Sequence, residues 1–265
     1  MFPARRIVCL SEETVETLYL LGRAESVVGI SGYTVRPPEA RREKPRVSAF
    51  TSADIEKIEA LQPDLVLAFS DLQATIVADL VRRGMAVHAF NQRDIAGILD
   101  MIRTVGALAG APDDADRLVD RLTIRLERAR VDAARLRRSP RVFFEEWDDP
   151  LISGIGWVSE LIGVAGGIDI FPERSHAAAA RDRIVVGADV IAAAPDIIIG
   201  SWCGKKFRSE KVTARPGFAA VPAVRDGAIH EIKSSLILQP GPAALTDGLA
   251  EIEAIIGRWA EAQGR

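Results

Sequence analysis

Across its first hundred residues the chain alternates between two hydrophobic periods, and this alternation restricts the possible folds more than any other feature. RIVCL, SVVGIS and DLVLAF are short apolar runs, while EETVETLYLLG and SADIEKIEAL carry the spacing of amphipathic helices. Short strands separated by helices are the signature of a parallel sheet, because parallel neighbours need a crossover. The second half repeats the theme with RVFFEEW, GWVSELIGVAGG, VVGADVIAAA, DIIIGSW and AIHEIK. Two similar α/β lobes are expected.

An internal match supports this. IEALQPDLVLAFS, residues 58–70, lies over VIAAAPDIIIGSW, residues 190–202, with Pro63 over Pro195 and Asp64 over Asp196. Each copy reads as a helix stopped before proline and followed by a buried strand. Ligands in such folds bind beyond the carboxyl ends of the strands, which directs Phe69 and Trp202 to one expected cleft.

Between the two copies, Leu118, Leu122, Leu126, Ala129, Ala133 and Leu136 recur at spacings of three and four. Asp113 and Asp114 open this stretch and arginines crowd its end, matching the helix dipole. The spacing predicts one helix over residues 113–138, roughly 40 Å long at 1.5 Å per residue. The expected fold is α/β: two pseudo-symmetric Rossmann-like lobes joined by one long backbone helix, with a ligand cleft between them. The expected divisions are an N-terminal lobe over 1–112, the connecting helix over 113–139 and a C-terminal lobe over 140–265. A helical connector resists bending, so small domain motion is expected.

Composition narrows the function classes. With 48% hydrophobic and 27% charged residues the chain can fill packed cores. Its formal charge of -3, from 34 basic and 37 acidic residues, gives no electrostatic attraction to nucleic acid. No stretch reaches the roughly 20 apolar residues of a membrane span. Cys9 and Cys203 are both expected as free thiols, Cys9 inside a buried strand. MFPARR runs directly into the first strand pattern and leaves no room for a secretory leader, so a cytoplasmic location is expected from the sequence as written. A leader removed upstream would make the mature chain periplasmic.

Few residues announce chemistry. His88, His176 and His230 lack zinc-site spacing, so no metal site is expected in the protein itself. No nucleophile elbow, P-loop or dinucleotide fingerprint is present. No catalytic residue and no catalytic cofactor are assigned, and the chain is read as a non-enzyme. Three segments suggest binding instead. In FEEWDDPLISG a strand runs into a loop bearing Glu145, Glu146, Trp147, Asp148 and Asp149; the indole suits a large planar ligand. In GSWCGKKFRSE, Trp202 and Cys203 leave a strand, and Lys205 and Lys206 could meet an anionic ligand group. KSSLILQPGPAAL offers Ser234, Ser235 and Gln239 in a third loop before a helix starting near Pro242.

With these residues placed, the chain resembles the helical-backbone (class III) substrate-binding proteins of ABC importers, most of all the cobalamin-binding ones. The likeness covers essentially the whole chain. It is most specific in RIVCLSEETVETLYLLG, VVGISGYTVRPPEAR and RVSAFTSADIEKIEALQPDLVLA, with EEWDDPLISG and LILQPGPAAL adding weight. The resemblance implies a corrinoid held between aromatic walls, with Tyr33, Phe50 and Phe69 on the first lobe, and delivery to a membrane permease. It also implies docking through one exposed acid per lobe. Glu56 matches the first; the second falls on Ala188, beside Asp189. Phe50 replaces a tryptophan of the best-matching members, and Ser235 replaces an aspartate. A monomer is expected, with a small molecule as ligand. Two alternatives stay open: a haem or ferric-siderophore carrier, and a cytosolic corrinoid-handling protein or enzyme reusing the fold. The enzyme version would need Glu145, Glu146, Asp148 or Asp149 paired with Lys205 or Lys206.

Overall fold

The computed structural model describes residues 2–264. By backbone packing the chain divides into two compact units. One takes the chain up to Gln92 together with Ala96–Leu122; the other takes Arg93–Ile95 and the chain from Thr123 onward.

The first unit is built on strands β1 (Ile7–Cys9), β2 (Val27–Ser31), β3 (Arg46–Ser48), β4 (Leu65–Phe69) and β5 (Val87–Phe90). They lie in the order β3-β2-β1-β4-β5, and every pairing is parallel. Each residue of β1 and β4 is buried, as expected of apolar strands covered on both faces. After β1 the chain winds outward through β2 and β3, then returns to the other side of β1 with β4 and β5. The winding therefore reverses between β1 and β4, and their carboxyl ends open a crevice there.

The second unit carries β6 (Arg141–Asp148), β7 (Leu151–Ser153), β8 (Ile168–Asp169), β9 (Ile197–Gly200) and β10 (Ile229–Glu231). The order is β10-β9-β6-β7, with β8 paired to β6; all pairings are parallel except β6 with β7. Here the winding reverses between β6 and β9. Its core gathers Phe143, Val190, Ile198, Trp202, Phe207 and Phe218.

The two helix-Pro-Asp-strand segments do the same work in their own units. Asp64 Oδ2 accepts the backbone N–H groups of Arg5 and Arg6 at 2.8 and 3.0 Å, and the Asp64 N–H donates to Arg6 O at 2.8 Å. Asp196 Oδ2 accepts Arg141 N–H at 2.8 Å, and its own N–H donates to Arg141 O at 2.8 Å. Arg6 and Arg141 in turn donate from their guanidinium groups to carbonyls at the end of the preceding helix, Leu61 and Gln62 in one case and Ala193 in the other. Gln62 and Ala194 both adopt left-handed backbone, with φ of 49° and 46°. Each lock sets the start of a central strand, β1 or β6, against its neighbour.

Two sequence expectations need correction. The long helix runs over Pro112–Ala133, 22 residues, and not to residue 138. At its end Ala133 and Leu136 pack against Gly166, where a Cβ would approach Leu136 Cδ1 to 2.6 Å, and Arg135 and Leu136 close tight turns. Arginine-rich sequence favours continuing the helix; packing against Gly166 ends it. Likewise Glu145 to Asp148 are not loop residues: β6 extends through them, and Asp149 and Pro150 form the turn into antiparallel β7.

Candidate ligand-binding site

In the first unit four strand-end segments surround the β1/β4 crevice. Ser11 follows β1 and leads into the Glu12–Leu20 helix. Tyr33 follows β2 and is 61% exposed, and its N–H donates to Ser31 Oγ at 3.3 Å. Phe50 follows β3 and is half-buried, while Phe69 ends β4 and is buried.

Gln73, wholly buried, ties three of these segments together. Its Oε1 accepts Phe69 N–H at 2.9 Å, and its Nε2 donates to Leu10 O at 3.1 Å and Phe50 O at 2.9 Å. Nothing in the sequence marks Gln73. Its partners lie 4, 63 and 23 residues away.

Acids line the start of the helix after β1. Glu12 and Glu13 are buried, and each keeps one carboxyl oxygen without a hydrogen-bond partner. Glu12 Oε2 accepts Val35 N–H at 2.8 Å, Glu13 Oε1 accepts the Ser11 hydroxyl at 2.6 Å, and Glu16 pairs with Arg36 at 3.1 Å. Burial pushes the Glu12 carboxyl up to about 8, against the pull of the Val35 hydrogen bond. Burial likewise pushes Glu13 up to about 7. Glu12 therefore pins the segment that follows Tyr33.

In the second unit the strand-end acids each hold a cation. Glu145, fully buried, accepts both Nη atoms of Arg215 at 2.6 and 2.8 Å and Trp202 Nε1 at 2.9 Å. Glu146 takes Arg183 at 2.5 and 3.0 Å, and Arg183 also donates to Ser153 O at 2.6 Å. Asp148 accepts Lys205 Nζ at 2.5 Å, with Lys211 Nζ at 3.5 Å. Burial works to raise the Asp148 pKa, but the Lys205 hydrogen bond and both ammonium groups hold it below its usual value.

Lys205 Nζ also stands 4.8 Å from the Trp147 ring centroid and 5.0 Å from that of Trp202. Trp147 is half-buried, and its Nε1 donates to Asp149 O at 3.0 Å. Trp202 is only 3% exposed and meets Phe207 edge to face at 4.9 Å. Packed in one cluster with Phe143, Phe207 and Phe218, the Trp202 ring expected to face ligand is core in this structure. Gly200 makes room for its partner Phe207, since a Cβ there would fall 1.9 Å from the Phe207 ring.

The other expected residues are more scattered. Cys203, Lys206 and Asp149 are exposed. Cys9 and Cys203 are both free, and burial pushes the Cys9 thiol up to about 12. Ser235 lies in a single helical turn, Ser234–Ile237, and not in a loop; Gln239 follows it, half-buried. The next helix does start at Pro242. Glu56 and Asp189 are both exposed, in the first turns of the helices Ile55–Ala60 and Gly187–Ala193 that precede the two Asp locks. Arg183 and Arg215 went unread in the sequence because their partners lie 37 and 70 residues away. Among the described residues no group of three His, Cys, Asp or Glu side chains could hold a metal ion, and no helix is long and apolar enough to cross a membrane.

A family model described as periplasmic binding protein matches residues 7–236. Vitamin B12-binding protein of Vibrio cholerae serotype O1 is 28% identical over 175 residues, a match covering 65% of this chain and 63% of that protein. The chain thus spans less than two thirds of that relative. Among solved structures, a possible iron-binding (periplasmic solute-binding) protein of Staphylococcus epidermidis superposes with a TM-score of 0.82 at 21% identity, covering 96% of this chain and 99% of the other. The periplasmic heme-binding protein of Roseiflexus sp. RS-1 in apo form superposes with a TM-score of 0.80 at 24% identity, covering 96% and 99%. With one parallel sheet and one mainly parallel sheet, a reversal of winding in each and a family match over most of its length, the chain belongs to the periplasmic binding proteins.

Proposed function

We propose that this chain is the substrate-binding component of an ABC-type importer and that its ligand is cobalamin or a related corrinoid. The observation that carries the reading is that each unit, taken by itself, places aromatic rings at the ends of strands of a sheet whose winding reverses: Phe50 and Phe69 in the first unit, Trp147 in the second. Broad apolar faces with few polar partners suit a large planar chelate. The vitamin B12-binding relative supports the choice of corrinoid. Glu56 and Asp189 are assigned to permease docking, as exposed acids on equivalent helices.

Haem is the second reading, favoured by Tyr33. Its exposed phenol can supply an axial oxygen ligand to ferric iron, and a heme-binding protein is among the structural neighbours. A titration panel separates the readings: cyanocobalamin, cobinamide, haemin and a ferric siderophore, each followed by quenching of tryptophan fluorescence. Saturable binding of both corrinoids at micromolar levels, with haemin weaker, supports the first. Tight haemin binding with a Tyr33-dependent absorption band supports the second.

A further inference from the structure

We infer that Gln73 is a positioning residue for the ligand: its amide fixes the backbone carrying Phe50 and Phe69, and so sets the two rings that meet the chelate. The inference rests on the functional reading above, since it supposes that those rings bind.

The geometry leaves the amide no slack. A primary amide offers one carbonyl oxygen and two N–H donors, and here the oxygen takes Phe69 N–H while the nitrogen serves Leu10 O and Phe50 O. Both N–H groups are used, and the side chain has no solvent exposure. The three partners belong to three different strand ends: Leu10 follows β1, Phe50 follows β3 and Phe69 closes β4. The backbone at Phe50 lies outside any strand, and its carbonyl bonds to Gln73. The Ala49 N–H to Ser52 O bond closes the turn in which Phe50 sits, and the Gln73 amide ties that turn to β4.

The segment bearing Gln73 is itself fixed. Ser70 takes a left-handed φ of 64°, its N–H donates to Phe90 O at 2.7 Å and its Oγ accepts Leu72 N–H at 3.3 Å. The Gln73 N–H donates to Ser70 O at 3.2 Å, closing a tight turn directly after Phe69. A wholly buried side chain that bonds the backbone of both phenylalanines acts on affinity only through the rings which that backbone carries.

That restriction gives the test. Cyanocobalamin affinity is measured by calorimetry for the full chain and for Gln73→Met and Gln73→Glu, each with and without Phe50→Ala and Phe69→Ala, with far-ultraviolet circular dichroism recorded on every variant. Gln73→Glu keeps the acceptor for Phe69 N–H and loses both donors, so it stays informative if Gln73→Met does not fold. Gln73→Met is expected to weaken binding about tenfold in the parent and less than twofold when both phenylalanines are gone. Gln73→Glu should weaken binding in the parent but have little effect once Phe50 is alanine. Equal losses with and without the phenylalanines overturn the inference while leaving the functional reading intact. Parent protein that binds no cyanocobalamin, or that binds it equally well without both phenylalanines, overturns the functional reading and the inference with it.

Discussion

Glu145 and Arg215 form a two-pronged ion pair whose carboxylate is fully buried, and the same carboxylate holds the indole N–H of Trp202. A buried charge left alone is costly, whereas a neutral pair of similar volume is not. Arg215→Met should therefore destabilise the protein by about 3–5 kcal/mol in urea unfolding. Adding Glu145→Gln should recover much of that loss. If the double variant is no more stable than Arg215→Met, the pair is not what determines stability at this point.

The two tryptophans of the second unit should separate in their effects. Trp202, buried against Phe207, behaves as core, so Trp202→Ala should cost about 3–5 kcal/mol of stability. Trp147 is half-buried at the end of β6. Trp147→Ala should cost less stability and act mainly on ligand affinity. Thermal midpoints measured beside affinities would show this crossing of effects; equal stability losses would place Trp147 in the core as well.

How much of this arrangement was legible in the sequence depended on how local its causes are. The Pro63/Pro195 and Asp64/Asp196 match exposed the two locks because each helix stop and its following strand are contiguous in sequence. The guanidinium groups of Arg6 and Arg141 that complete those locks come from more than 50 residues away. Gln73, Arg183 and Arg215 were hidden for the same reason. Trp202 showed the limit of position: leaving a strand beyond its carboxyl end did not decide whether the ring faced a ligand or Phe207. The helix end at Ala133 was set by Gly166, which no local propensity registers.

Glu12 should make stability depend on pH. Its carboxyl titrates near 8 in the folded chain, against an ordinary value of 4.5, chiefly through burial. The folded state therefore binds more protons than the unfolded state across that window, and stability should fall as pH rises from about 4.5 through about 8. Glu13, pushed up to about 7, adds to the same slope. Glu12→Gln keeps an acceptor for Val35 N–H and cannot ionise. Its thermal midpoint should decline more shallowly between pH 5 and pH 8 than that of the parent; parallel declines would show that Glu12 ionises freely in the fold.

The docking assignment makes a different demand. Glu56→Lys reverses an exposed charge that has no part in the strand-end rings, so it should reduce uptake in a reconstituted importer while leaving ligand affinity within about twofold. Asp189→Lys should behave alike. Loss of ligand affinity in either variant would move that acid from the docking surface to the binding site.

The most direct measurement is calorimetric titration of the full chain and of Trp147→Ala with cyanocobalamin. Corrinoid binding against strand-end rings requires saturable binding by the parent, weakened about thirtyfold, or roughly 2 kcal/mol, when the indole is removed. No heat of binding from the parent at tens of micromolar, or equal affinity in the variant, would contradict the corrinoid site proposed here.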